Sequence, residues 1–161
     1  MRRPWFTTRP VDEAIFETAP LLLSDSFQIP APATRVWAEL TGDQALSWCR
    51  ILGGVTWTSP RPFGVGSTRS VRVLGGAAVF RERFFRWEEG HRHSFAVTET
   101  TAPLFRRFAE DVVIDPAGET ACRLTWTIAI EAQPAVALAN PINRLVLRSL
   151  FRDTRDHYGV R

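Results

Sequence analysis

The sequence predicts an α+β fold in which one curved antiparallel sheet of seven strands wraps around a long C-terminal helix. Three observations predict it. Between Ile51 and Ala132 the chain runs as six strand-like segments joined by tight turn signals. A single amphipathic helical segment, Pro134 to Tyr158, follows the last of them. One further strand stands ahead of two short helices on the N-terminal side. An antiparallel sheet with one apolar face must cover it, and one long helix can do so.

Residues 1–20, "MRRPWFTTRPVDEAIFETAP", read as an extension ahead of a domain spanning 21–158, with one helical turn at Val11 to Thr18. Pro, Asp and Glu stand where a signal peptide needs an apolar run. "LLLSDSFQI" (21–29) is the first strand. "PAPATRVWAELTG" opens a helix on proline, and Gly42 ends it. "DQALSWC" is the second short helix, with Asp43 as its cap. The six strands then fall at roughly 51–58, 67–74, 77–88, 91–101, 105–115 and 119–132, separated by "SPRPFGVG", "GG", "EEG", "AP" and "DPAGE". In the final helix Asn140 caps and Pro141 takes the first turn. Ile142, Leu145, Val146, Ser149 and Leu150 form one face.

Composition narrows the function classes. The 161 residues suit one domain with a sizeable core. With 45% hydrophobic and 23% charged residues, 11 Phe and 6 Trp, the chain is globular and rich in large aromatics. Every Lys/Arg cation is Arg, but the arginines are scattered among acids and the net charge is only +3. No nucleic-acid footprint is expected. No run approaches the ~20 apolar residues of a membrane span, so stable membrane insertion is not expected. Cys49 and Cys122 lack metal-like spacing and read as buried thiols of a cytoplasmic protein.

Four stretches, in this order, carry a family resemblance: "IPAPATRVWAEL", "FGVGSTRSVRV", "RERFFRWEEGHRHSFAV" and "DPAGETACRLTWTI". They resemble the helix entry and strand openings of the START-like, or SRPBCC, superfamily, over about residues 21 to 158. The nearest subgroup is the bacterial polyketide cyclase/dehydrase and lipid-transport proteins. The resemblance implies the helix-grip fold and a cavity between sheet and C-terminal helix. Members bind lipids, hormones, polyketides or partner proteins, and some catalyse cyclisation or dehydration, so the fold does not name the function.

Strand alternation assigns the cavity lining. Folding "STRSVRVLGGAAVFRER" about Gly75-Gly76 sets Arg69 opposite Glu82, on one face with Val71, Val73, Ala78, Phe80 and Phe84. Through the Glu89-Gly90 turn, Phe84 faces Phe95, Glu82 faces Val97 and Phe80 faces Glu99, with His93 on the same side. Phe108, Glu110, Val112 and Ile114 form the more apolar set of the next strand, and Trp126 lies on the inward set of the last. The expected ligand-contacting residues are Arg69, Val71, Phe80, Glu82, Phe84, His93, Phe95, Val97, Glu99 and Trp126 from the sheet, with Ile142 and Val146 from the helix. Glu99 and Glu110 are expected near strand ends, reaching water at the mouth.

An apolar wall with a few placed polar groups suits an apolar or aromatic small molecule. Arg69–Glu82 reads either as a structural cross-strand pair or as a ligand contact. His93 is a candidate acid or base; "HRH" with only His157 elsewhere makes a poor zinc site. No cofactor is expected, since "GVGSTR" lacks the Lys and following helix of a phosphate loop, and no nucleophile motif is present. A small-molecule binder, an acid–base enzyme of the cyclase or dehydratase type, and a protein-interaction module all remain open. The sequence sets no oligomeric state.

Overall fold

In the computed structural model, residues 2–161 are described. Seven strands form one antiparallel sheet: β2 (Leu21–Ile29), β3 (Leu52–Trp57), β4 (Thr68–Val73), β5 (Ala78–Glu88), β6 (Arg92–Thr100), β7 (Phe105–Pro116) and β8 (Cys122–Ala132). Their order is β2-β8-β7-β6-β5-β4-β3. Only one step departs from a simple meander: β2 crosses to pair with β8 along its whole length, Leu21 with Ile130 through Ile29 with Cys122. Helix α2 (Ala33–Thr41) fills that crossover, and α3 (Pro134–Ala137) and α4 (Asn140–His157) lie across the concave face.

The β4–β5 hairpin closes where the sequence places it. Leu74, Gly75 and Gly76 take φ values of 51°, 64° and 86°. Two consecutive glycines keep such a left-handed run low in strain, because they lack a Cβ. The segment after α2, expected as a second short helix, is instead a chain of turns over residues 43–48, broken by Leu46 at φ 56°.

Residues 2–20 are used structurally. A two-stranded contact, β1 (Phe6–Thr7), pairs with β6 at Thr100 and Glu99. The β6–β7 pairing runs only from Arg92–Val113 to Ala96–Ala109, and beyond it the two strands part. Thr8 donates its N–H to Thr98 (3.0 Å) and Arg9 to Arg106 (2.8 Å). The N-terminal segment thus satisfies backbone groups that the parted strands leave free. A short helix, α1 (Ile15–Thr18), then packs Ile15 and Ala19 on Ala109 and Ala129 of the convex face.

Helix α4 is pinned by a buried acid. Asp153 accepts the backbone N–H of Arg50 at 2.9 Å and its guanidinium at 2.7 Å. Next to it, Thr154 accepts the Trp48 indole N–H at 2.9 Å. Asp153→Ala leaves the Arg50 N–H unpaired, and we expect a loss of about 1–3 kcal/mol, read as a lower thermal midpoint without loss of the sheet's circular dichroism.

Candidate functional site

Between the concave sheet and α3–α4 lies a cavity of about 230 Å³. Its floor is Val71, Phe80, Phe95, Phe108 and Trp126, and its helical wall is Val136, Val146, Leu147 and Leu150. Phe80, Phe105 and Phe108 form one aromatic cluster with centroids 5.1–6.1 Å apart. Among the charged lining residues only Arg69, Glu82 and Glu110 occur; Asn140 and Asn143 stand on the α4 side.

Arg69 and Glu82 are directly paired in the β4–β5 register. Arg69 Nε donates to Glu82 Oε2 at 2.5 Å, with the two side chains 2% and 6% exposed. The guanidinium is also surrounded by aromatic faces: Phe95 at 4.6 Å, Phe84 at 5.0 Å and Trp57 at 5.5 Å. Such contacts offset part of the desolvation of a buried cation. Burial raises the Glu82 carboxyl above its usual range, against the opposing Arg69 charge.

Glu110 completes the polar cluster. Its Oε2 accepts the Trp126 indole N–H at 2.8 Å. Burial, reinforced by the nearby Glu82 charge, raises its carboxyl to about 8, although the Trp126 hydrogen bond and Arg69 pull the other way. At neutral pH the inner end of the cavity therefore holds a guanidinium beside two carboxyls whose protonation burial favours, and Glu110 keeps its proton. A small recess of about 10 Å³ continues inward from there, lined by Arg69, Glu110, Trp126 and His93 among others. His93 is fully buried with neither ring nitrogen hydrogen-bonded among the described residues. Burial and the Arg69 charge push it down to about 3, so it is a neutral imidazole.

Of the twelve residues expected to contact a ligand, the structure brings Arg69, Val71, Phe80, Glu82, Phe95, Trp126 and Val146 to the cavity wall. His93 lines only the inner recess. Phe84 and Val97 are buried on the same side of the sheet but pack in the core rather than on the cavity. Three expectations are corrected. Glu99 is not opposite Phe80: a β-bulge between the Arg81–Glu99 and Glu82–Val97 pairs puts Thr100 there. Glu99 is turned to the convex side, where Arg81 donates to it at 2.6 Å. Ile142 is 65% exposed, because α4 is rotated so that Asn143, Val146, Leu147 and Leu150 face inward. Glu110, expected near water at a strand end, lies mid-strand and buried.

The Glu110–Trp126 bond is not among the sequence expectations. Its signal is the register: Glu110 pairs with Ile128 and Val112 with Trp126, so Glu110 and Trp126 are diagonal neighbours on one face. The two cysteines are buried free thiols. Among the described residues no group of three or more His, Cys, Asp or Glu is placed to hold a metal ion. No described helix is long and apolar enough to cross a membrane.

A sheet gripping one helix around a largely apolar cavity, with its charged groups clustered on the sheet side, defines a START-like ligand-binding domain. The chain belongs to the polyketide cyclase / dehydrase and lipid transport family, whose model matches residues 21–156. It is 36% identical over 152 residues to uncharacterised proteins of Mycobacterium tuberculosis and Mycobacterium bovis, covering 90% of this chain and 89% of theirs. Among solved structures it resembles a START superfamily protein from Mycobacterium smegmatis, with a TM-score of 0.70 at 15% identity over 86% of this chain and 97% of that one. It also resembles the ginseng major latex-like protein 151, with a TM-score of 0.59 at 22% identity over 88% and 99% of the two chains. At these identities the structural likenesses establish the fold.

Proposed function

We infer that the protein binds an apolar or aromatic small molecule, lipid- or polyketide-like, in this cavity. The domain of 21–158 holds the ligand, and residues 1–20 act as an extension that braces the sheet. The reading rests on one observation: a largely apolar cavity wall whose charged residues, Arg69, Glu82 and Glu110, stand together. A volume of about 230 Å³ lies below the roughly 300–1,000 Å³ of drug-sized sites. It fits a small fused-ring aromatic or a short acyl chain without rearrangement. Burial of the apolar body supplies affinity, at about 25 cal/mol per Å². Arg69, with N–H groups beyond the one given to Glu82, supplies orientation by donating to a ligand oxygen. Two free, buried thiols support a cytoplasmic setting.

A second reading has its own support. Arg69 and a neutral Glu110 carboxyl line the same cavity. One can polarise a carbonyl while the other delivers a proton, the pairing that a cyclase or dehydratase needs.

Native mass spectrometry of the purified protein tests the first reading. We expect a small-molecule adduct on the wild type and its loss in Val146→Trp, which fills the cavity from α4. A wild type without adduct that also fails to enhance the fluorescence of an anilinonaphthalene probe would sink it.

A further inference from the structure

The outward side of α4 carries a feature that the cavity does not use. Arg144, Arg148, Arg152 and Arg155 follow one another at i, i+4, i+8 and i+11, which sets them on one stripe of the helix. Together with Arg161 they line an open groove against β2. Arg144, Arg148 and Arg152 are exposed. Arg155 is tied to Asp25 at 2.7 Å and Arg152 lies 3.4 Å from Asp153, whereas Arg144 and Arg148 have no ion pair among the described residues. Beside this stripe stand large apolar side chains that are mostly exposed: Leu145 at 72%, Ile142 at 65% and Leu138 at 92%. Leu74, on the β4–β5 turn, is 53% exposed and also lines the cavity. Leu138 and Ile142 therefore stand beside the half-buried lining residues Val136, Asn140 and Asn143, and Leu145 lies further round the helix.

We propose that this face docks on an anionic phospholipid surface, with the arginine stripe over the head groups and Leu138, Ile142 and Leu145 dipping into the interface. The occupant follows from charge and placement. Cationic side chains flanking protruding aliphatic ones are the pattern of an element that lies in a membrane interface. An acidic protein partner would match the arginines but would give the separate, protruding leucines nothing to enter. The position of Leu138 and Ile142 beside the cavity's lining residues has a further consequence, resting on the ligand reading above: docking turns that side of the cavity toward the phase in which an apolar ligand dissolves. The attachment is peripheral and reversible. Three aliphatic side chains fall far short of a spanning segment, and the electrostatic part is screened by salt.

Flotation with phosphatidylcholine vesicles, and with vesicles that also contain phosphatidylglycerol, tests the proposal. The wild type should float only with the anionic vesicles and detach as salt is raised. Each arginine near such a surface contributes about fivefold in partitioning. Arg144→Ser with Arg148→Ser should thus lower it roughly 25-fold, and Leu138→Ser with Ile142→Ser should lower it as well. All four side chains are exposed, so unchanged thermal midpoints will show that these variants fold. Absence of flotation with anionic vesicles overturns the proposal and leaves the face to an acidic protein partner. Full flotation of the arginine variant overturns it equally. Val146→Trp separates the two readings: it should lose the ligand adduct yet float like the wild type.

Discussion

Arg69→Met and Glu82→Leu should each destabilise the protein by roughly 3–5 kcal/mol, and the double variant should recover most of that loss. The pair is fully buried at 2.5 Å, so each single variant strands a charge that water cannot reach. Replacing both leaves an apolar cross-strand pair of similar volume. In Arg69→Met the new side chain keeps contact with the rings of Phe84, Phe95 and Trp57 through its polarisable sulfur.

The two single variants should not be equal. Without Arg69, Glu82 loses its cation, and with Glu110 nearby both carboxyls must take up protons. The loss should then shrink below about pH 5 as protonation becomes free in the unfolded chain too. Without Glu82, Arg69 cannot discharge, but Glu110 loses the neighbour that raises its carboxyl and can ionise as a substitute counterion. Glu82→Leu should therefore be the milder change. Ligand affinity should fall in the double variant, since the wall stays apolar but the orienting donor is gone. Denaturant melts and ligand titrations on the four proteins of the cycle decide it. Additive losses in the double variant would refute the pair as a buried unit, and wild-type affinity there would remove Arg69 from the binding residues.

How far the sequence reached depended on whether a feature was local. The Arg69–Glu82 pairing followed from period-two alternation on either side of two glycines, and the structure reproduces it residue for residue. The same count carried across the Glu89-Gly90 turn correctly to Glu82–Val97 and then failed at Glu99. A bulge there inserts one residue into β6, with no glycine or proline to announce it. For α4, the helical period was legible but its rotation was not. Ile142 and Leu145 are as apolar as Val146 and Leu147, and only the sheet decides which pair faces inward. Glu110 shows the limit most clearly. Its face could be counted from the strand, whereas its burial depends on the α3–α4 wall closing over the sheet and on Trp126 arriving from β8. Those are tertiary facts with no local trace.

Stability should fall on both sides of a plateau between about pH 4.5 and 6.5, with one buried group governing each side. Glu110 holds its proton in the fold up to about 8, against an ordinary value of 4.5. Its contribution is complete below 4.5 and is lost as pH rises through 8. His93 is the mirror case: neutral in the fold down to about 3, against an ordinary 6.5. Its contribution is complete above 6.5 and is lost as pH falls through 3. Each pH unit of such mismatch is worth about 1.4 kcal/mol. Between 4.5 and 6.5 the two slopes are equal and opposite, which makes the plateau. Outside it these two no longer cancel, so Glu110 alone should cost about 2 kcal/mol by pH 8 and His93 alone about 2 kcal/mol by pH 3. The charged neighbours are Arg69 and Glu82, and burial raises the Glu82 carboxyl in the same direction as that of Glu110. Glu110→Gln keeps an acceptor for the Trp126 indole and should flatten that limb, leaving stability that climbs from pH 3 to 6.5. His93→Phe preserves the ring packing against Trp37, Trp87 and Phe84 and should make the acid limb shallower instead, leaving the part set by Asp153 and Glu131, whose carboxyls the hydrogen bonds from Arg50 and Arg107 hold below the ordinary range. Denaturant midpoints of the three proteins from pH 3 to 9 measure both slopes. An alkaline slope unchanged in Glu110→Gln would mean that Glu110 is already ionised in the fold, and with it would go the neutral acid on which the catalytic reading of the cavity depends.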